Sequence, residues 1–237
     1  MKTIIHKAAS RGYANHGWLQ ANHSFSFANY YDSEKLQFGA LRVLNDDIIA
    51  PKMGFGTHPH DNMEIITIPL SGELKHRDSM ANAWLSVKPG EVQVMSAGSG
   101  LQHSEINGSQ EHYLSLFQIW IMPDKHNVEP RYDQIRFNPE DRNNKFQTLV
   151  SSIQTDDEGL KIYQNAKISR IDLTKDNTIQ YNTISKHHGV YIMNVSGNAS
   201  VNNQTFESRD AIGVSETDTF SIKANENSDL LLIEVPM

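Results

Sequence analysis

A chain of 237 residues with a formal net charge of −7 can bury a core, either as one large β domain or as two smaller ones. It contains no cysteine, which excludes disulfides, thiolate catalysis and cysteine-based zinc sites, so any metal must be bound by His, Asp or Glu. Lys and Arg form no long run, which argues against direct binding to nucleic acid. The N-terminus lacks an apolar signal region and no segment is apolar enough to span a membrane, so we expect a cytoplasmic protein.

Short apolar or alternating segments separated by turns run along most of the chain. In the first half the strongest are 64–70, 84–95 and 113–123, which are rich in β-branched and aromatic residues. The second half adds five more, at 189–197, 198–206, 210–216, 219–224 and 229–236. Short runs at this spacing are typical of an all-β sandwich or barrel, and no long amphipathic helical pattern competes with them.

A polar middle segment and a faint internal repeat predict two β domains. Residues 124–158 contain few contiguous apolar residues, as expected for a connection with one short helix or strand. On either side, "EIITIPLSGELKHRD" resembles "VYIMNVSGNASVNNQ", because each is an apolar strand followed by Ser-Gly and a second strand. We therefore predict an N-terminal domain at 1–130, a connection at 131–158 and a C-terminal domain at 159–237.

Two pairs of side chains have the spacing of metal ligands on strands. His58 and His60 are two residues apart, and so are His103 and Glu105. Residues at this spacing on a strand point to the same face, so the four side chains converge if the two strands are neighbours. Three imidazoles and one carboxylate suit Fe(II), with Mn, Co, Ni, Cu and Zn as chemically competent alternatives.

These motifs resemble those of the cupin superfamily. His58-x-His60-x3-Glu64 is similar to the first cupin motif, although its opening glycine is displaced and its closing Gly72 comes one residue late. Gly98-Ser-Gly100-x2-His103-x3-Asn107 is similar to the second, with Gly98 in place of a proline. Within the cupins, "RGYANHGWLQANHSFSFANYYD", "GFGTHPHDNMEIIT" and "MSAGSGLQHSEIN" resemble the bacterial pirins, closely in the N-terminal half and by layout elsewhere.

The resemblance to pirins implies a fold and a ligand set. The fold would be an all-β bicupin: two tandem cupin-type β-barrels, of the jelly-roll or β-sandwich type, with few short helices. The N-terminal domain would hold one divalent metal, usually Fe(II), through His58, His60, His103 and Glu105. We rank Glu105 above Glu64 as the carboxylate ligand because the family's His-x-Glu pattern is present, and we expect Glu64 to face away or to support a ligand by a hydrogen bond.

The other polar candidates are expected to do less. Counting from Gly197, the counterpart of Gly72, places Thr183, Ser185 and Gly189 at the ligand positions of the C-terminal domain. Counting from Asp210, the counterpart of Gly90, places Lys223 there, so that cupin is predicted to lack metal ligands. His187 and His188 are expected in a loop or on the surface, and His76, His112 and His126 are expected to be solvated. Met53, Phe55, Met95 and Trp120 are candidates to line a pocket.

The resemblance also implies a function. Some bacterial pirins are quercetin 2,3-dioxygenases, which open the central ring of a flavonol with O2, form a depside and release CO. By this comparison Glu105 would accept the proton of the substrate's hydroxyl group. Two alternatives stay open: a non-enzymatic, metal-binding regulatory or redox-sensing protein that acts through a protein partner, and a Zn or Ni protein whose substrate is not a flavonoid. We expect a monomer.

Overall fold

The computed structural model describes residues 1–81 and 83–237. Within these residues the chain forms 22 β-strands and two short 3-10 helices, at Ala8–Ser10 and Pro139–Arg142. The first twelve strands are β1 Lys2–His6, β2 Gly12–Asn15, β3 Leu19–His23, β4 Leu41–Ile49, β5 Gly54–His60, β6 Glu64–Ser71, β7 Leu74–Asp78, β8 Leu85–Val87, β9 Glu91–Ser96, β10 Leu101–Asn107, β11 Leu114–Ile121 and β12 Arg131–Arg136. The remaining ten are β13 Gln147–Ser152, β14 Leu160–Ile162, β15 Lys167–Leu173, β16 Thr178–Asn182, β17 His188–Ser196, β18 Asn198–Val201, β19 Gln204–Glu207, β20 Ala211–Ser215, β21 Thr219–Ala224 and β22 Ser228–Pro236.

The strands form two β-sandwiches of the same design. In the first, a seven-stranded sheet of order β12-β9-β6-β11-β4-β3-β2 faces a four-stranded sheet of order β5-β10-β7-β8. In the second, the orders are β1-β20-β17-β22-β15-β13-β14 and β16-β21-β18-β19. The predicted all-β bicupin is therefore confirmed, as sandwiches whose sheets stay separate. The repeat noted in the sequence occupies equivalent places, β6–β7 in one sandwich and β17–β18 in the other.

The strands at the ends of the large sheets cross the divisions expected from the sequence. β1 pairs antiparallel with β20, so the N-terminal strand completes the second sandwich just as β12 completes the first. The polar segment 131–158 contains β12 and β13, which belong to different sandwiches, with a 3-10 helix between them. β12 is polar because it is an edge strand whose side chains are mostly half-buried. The domain boundaries at 130 and 158 stay a prediction.

The two seven-stranded sheets pack face to face. Leu44, Ile66 and Phe117 from the first sandwich share one core with Tyr191 and Leu231 from the second. The large sheet of the second sandwich is apolar on its other face too, against its own four-stranded sheet, which explains continuous apolar runs such as "GVYIMNV". Inside the first sandwich, by contrast, buried polar side chains lie between the sheets, and the candidate site is built from them. No helix among the described residues has the length and apolarity that a membrane crossing needs.

Candidate metal centre

The pairing of β5 with β10 brings the two predicted ligand pairs together. The strands are antiparallel neighbours in which His103 lies opposite His58 and Leu101 opposite His60. The register shifts between His103 and Glu105, so that Glu105 lies opposite Phe55. Such an irregularity re-aims side chains locally, here within the ligand pair itself.

Two glycines allow this close packing of backbones. Gly54 lies against the carbonyl of Glu105, where any Cβ atom would clash. Gly98, in the turn before β10, has a positive φ of 50° and lies against the carbonyl of Val128, so a side chain there would be both strained and crowded. Gly54 therefore allows β5 to lie close against β10. Gly98 allows the turn before β10 to lie close against the backbone at Val128.

Three imidazoles converge at the mouth of the first sandwich. His58, His60 and His103 each place a ring nitrogen so that all three lie within 4.8 Å of one another. Nδ1 of His58 is 2.8 Å from the carbonyl oxygen of Gly56. A carbonyl only accepts, so Nδ1 is the donor in this hydrogen bond, and Nε2 is the nitrogen that faces the other imidazoles.

His103 shows that this donor set fits a metal ion. Its side chain is buried, and neither ring nitrogen has a hydrogen-bond partner among the described residues. Burial lowers the pKa of His103 to about 4, and burial together with the neighbouring His58 lowers the pKa of His60 to about 4. Both rings are therefore neutral at pH 7, which is the form that coordinates metal.

Glu105 lies beside this cluster in a hydrogen-bonded cradle. Gln93 donates to Oε1 at 3.3 Å and Gln118 donates to Oε2 at 3.0 Å. Burial alone would raise the pKa of Glu105, but its interactions with His76, His103 and His58 outweigh burial and lower that pKa, so the group is a carboxylate at neutral pH. Among the described residues its ligand atoms group with His76 and His103 within 4.8 Å, and His103 is the member shared with the first cluster.

His76 was expected to be solvated, and that prediction is wrong. Its side chain is fully buried, with Nε2 at 3.2 Å from Oδ2 of Asp78 and Nδ1 at 3.9 Å from Oε1 of Glu105. The ring of Tyr132 stacks on the imidazole of His76, with 4.9 Å between the two ring centroids. The alternation on β7 explains the error, since Leu74, His76 and Asp78 face inward while their polar neighbours face out.

The sequence patterns also did not identify Gln93 and Gln118 as residues of the site. Each is a polar residue within an otherwise apolar strand, in "EVQVM" and "SLFQIW". A polar side chain at an inward position of such a strand needs a buried partner, and that was the available signal.

Glu64 lies outside both clusters. On β6 it points opposite to Ile65, which lines the cavity beside the histidines. Ser96 donates a hydrogen bond of 2.6 Å to Oε2 of Glu64, and burial raises the pKa of this carboxyl to about 7. Glu64 was expected either to face away from the metal ligands or to support one of them by a hydrogen bond. In the structure it faces away from the histidine cluster.

The histidine cluster opens on a cavity of about 510 Å³, within the usual range of small-molecule sites. Aromatic side chains form much of its wall: Trp18, Phe27, Phe55 and Trp120. The predicted roles of Phe55 and Trp120 are thus confirmed. Met53 is instead exposed, and Met95 is fully buried in a small core cluster with Ile65.

The equivalent interior of the second sandwich is apolar. Tyr181 and Phe220, paired across β16 and β21, pack with Ile222 in its core, while Lys223 points outward. His187 is exposed as expected, but His188 is buried and hydrogen-bonds Oγ of Ser185 and the carbonyl of Asn165, so its surface assignment was wrong. The lack of a metal site in this domain stays a prediction.

Two stacked β-sandwiches with a histidine cluster in the first define a bicupin. The family model "Pirin" matches residues 5–121, and the model of the quercetinase C-terminal cupin domain matches residues 149–235. A quercetin 2,3-dioxygenase of Escherichia coli (strain K12) is 43% identical over 98% of this chain and 98% of that protein. A putative quercetin 2,3-dioxygenase of Pseudomonas aeruginosa is 42% identical over 94% of this chain and 95% of that protein. The chain belongs to the pirin family.

Solved structures agree with this assignment. The bacterial pirin YhhW from Escherichia coli, crystallised in complex with nickel(II), superposes with a TM-score of 0.93 at 41% identity, covering 99% of both chains. A quercetin 2,3-dioxygenase from Acinetobacter baumannii has a TM-score of 0.76 at 21% identity, covering 92% of this chain and 80% of that one. The second comparison shows the shared fold alone.

Proposed function

We propose that this pirin is a metal-dependent dioxygenase that opens the central ring of flavonols such as quercetin with O2, forming a depside and releasing CO, and that Fe(II) is its metal. One observation carries the proposal: three imidazoles converge on an aromatic-lined cavity, and both ring nitrogens of one of them, His103, are buried without partners among the described residues. The quercetin 2,3-dioxygenase relatives support the reaction, and the nickel complex of a pirin supports a divalent metal.

In this proposal His58, His60, His103 and Glu105 would hold the metal. When bound, the metal supplies Lewis acidity that favours ionisation of a substrate hydroxyl group. Iron is the metal we propose because the three-histidine, one-carboxylate set suits Fe(II) and the chemistry uses O2.

The chain's own residues bind the substrate, exclude water and hold a proton. Phe55 and Trp120 offer apolar surface to the flat rings of a flavonol and keep the cavity dry. The Glu105 carboxylate accepts the proton of the substrate hydroxyl. Gln93 and Gln118 hold its two oxygens in place, so that the base is already oriented when the substrate arrives.

Loading with Fe(II) under anaerobic conditions, followed by O2 uptake with a panel of flavonols, tests the function. We expect O2 consumption together with loss of the long-wavelength absorption band of quercetin, and neither in His103→Ala. His187→Ala is the matched control and is expected to behave as the wild type, because that side chain is exposed in the other sandwich. A protein with stoichiometric iron that consumes no O2 would contradict the proposal, and a stoichiometric protein partner in a pull-down would then favour the regulatory alternative.

A further inference from the structure

A second set of polar side chains faces the same cavity from the opposite sheet. His23 on β3 and Asn45 and Asp47 on β4 line the cavity, whereas the histidine cluster comes from β5 and β10. His23 and Asn45 satisfy each other through a hydrogen bond of 2.8 Å between Nδ1 and Oδ1. None of the three belongs to either ligand cluster.

Asp47 differs from His23 and Asn45 because one of its carboxyl oxygens has no hydrogen-bond partner among the described residues. It is 4% exposed, and its Oδ1 is buried without a hydrogen bond to any described residue. Buried polar atoms are satisfied in the great majority of cases, so an orphaned carboxyl oxygen at a cavity wall points to a ligand that completes it.

The adjacent residue shows what a structural aspartate on this strand looks like. Asp46 points to the other face of β4, where Arg11 lies at 3.3 Å and Arg209 at 3.5 Å from its oxygens. Asp47 lies opposite Leu116, whose side chain faces the interior of the first sandwich. The two consecutive carboxyls thus have opposite environments: Asp46 lies beside two cations, whereas Asp47 forms no ion pair with any residue that the structure describes.

The environment of Asp47 makes its carboxyl group a hydrogen-bond donor. Burial raises its pKa to about 8, and the charges of Asp46 and Glu105 add to the effect. At neutral pH the group therefore retains its proton and can donate one hydrogen bond as well as accept others.

We propose that Asp47 is the substrate-recognition residue of this cavity, and that it hydrogen-bonds an oxygen of a hydroxylated aromatic substrate held between the aromatic walls. The inference rests on the proposed function for the identity of the substrate and adds the group that recognises it. It assigns the two sheets different tasks: β5 and β10 supply the reactive centre, and β4 supplies the contact that orients the substrate toward it.

Anaerobic titration with quercetin tests this role without turnover. Wild type, Asp47→Asn and Asp47→Leu are loaded with Ni(II), and Kd is read from the shift of the flavonol absorption band. Asp47→Asn keeps a donor and an acceptor, so its Kd should stay within about threefold of the wild type, whereas Asp47→Leu should raise Kd by about tenfold or more. Metal content should be unchanged in both variants. The melting temperature of Asp47→Leu should rise by a few degrees, because an unpaired buried polar group is removed.

The outcomes separate this inference from the proposed function. Equal Kd values for Asp47→Leu and wild type, no quercetin binding by the wild type, or metal loss in Asp47→Leu would each overturn the role of Asp47. Weakened binding in Asp47→Leu with metal retained supports it, even if the Fe(II)-loaded wild type consumes no O2. In that last case the proposed reaction fails while the recognition residue stands.

Discussion

Nε2 of Gln118 donates a hydrogen bond of 3.0 Å to Oε2 of Glu105, and Gln93 holds the other oxygen of the same carboxylate. Thr67 donates to Oε1 of Gln118 at 3.1 Å and accepts from Nε2 of Gln93 at 3.1 Å, so the two amides are themselves fixed. These hydrogen bonds fix the orientation of the Glu105 carboxylate, which is buried between the two sheets. Replacing a group that orients a metal ligand typically lowers metal affinity by about 10- to 100-fold.

Replacing Gln118 with Leu should weaken metal binding by about 10- to 100-fold, because Glu105 loses the donor at Oε2 while the cavity keeps its volume. Competition with a chromophoric chelator measures the affinity. Gln102→Leu is the matched control, since Gln102 is exposed on β10 next to His103. Equal affinities for Gln118→Leu and the control would show that Glu105 needs no such support.

His103→Ala and His58→Ala should each lower bound metal to well below one ion per chain. Each removes one of three converging nitrogens, and His103 is the member common to both clusters. Elemental analysis of the purified proteins gives the ratio, with exposed His112→Ala treated in parallel as the control. An unchanged metal content in His103→Ala would refute the site.

The spacing of side chains in the sequence and the resemblance to cupins together predicted that His58, His60, His103 and Glu105 converge. The spacing of His58 and His60 and of His103 and Glu105 places each pair on one face, because side chains alternate along a strand. Apolar alternation likewise predicted strands such as β6 and β11, where the period of two is strong. What the pattern left open was which strands are neighbours, and the resemblance to cupins supplied that.

The features that the sequence did not predict depend on packing between segments that are far apart in the chain. His76 and His188 have polar sequence neighbours, and only the sheet that covers them makes them buried. Likewise, β1 joins β20 across nearly the whole chain, a pairing that no local signal encodes. Whether a polar side chain on a strand faces water or a second sheet is decided by tertiary structure.

The adjacent histidines of the second sandwich should differ in their effect on stability. His188→Ala removes a buried ring that bonds Ser185 and the carbonyl of Asn165, and should lower the free energy of unfolding by about 1–3 kcal/mol. His187→Ala, with an exposed side chain, should change it by about 0.5 kcal/mol or less. Urea denaturation of both variants at pH 7 makes the comparison, and similar values would contradict the burial of His188.

Glu64 should make the protein less stable as the pH rises. Burial raises the pKa of its carboxyl from an ordinary 4.5 to about 7 in the folded state. Between these values the folded chain binds more protons than the unfolded chain, so stability is full below about pH 4.5 and declines through pH 7. The decline from this group amounts to about 3 kcal/mol at most.

Glu64→Gln should flatten this dependence, because a neutral amide takes the place of the titrating carboxyl and can still accept from Ser96. The free energy of unfolding is measured between pH 5 and pH 8 for wild type, Glu64→Gln and the exposed control Glu111→Gln. A residual slope is expected in Glu64→Gln, since burial also raises the pKa of Asp47. The same slope in Glu64→Gln as in Glu111→Gln would mean that Glu64 is ionised in the folded protein across this range.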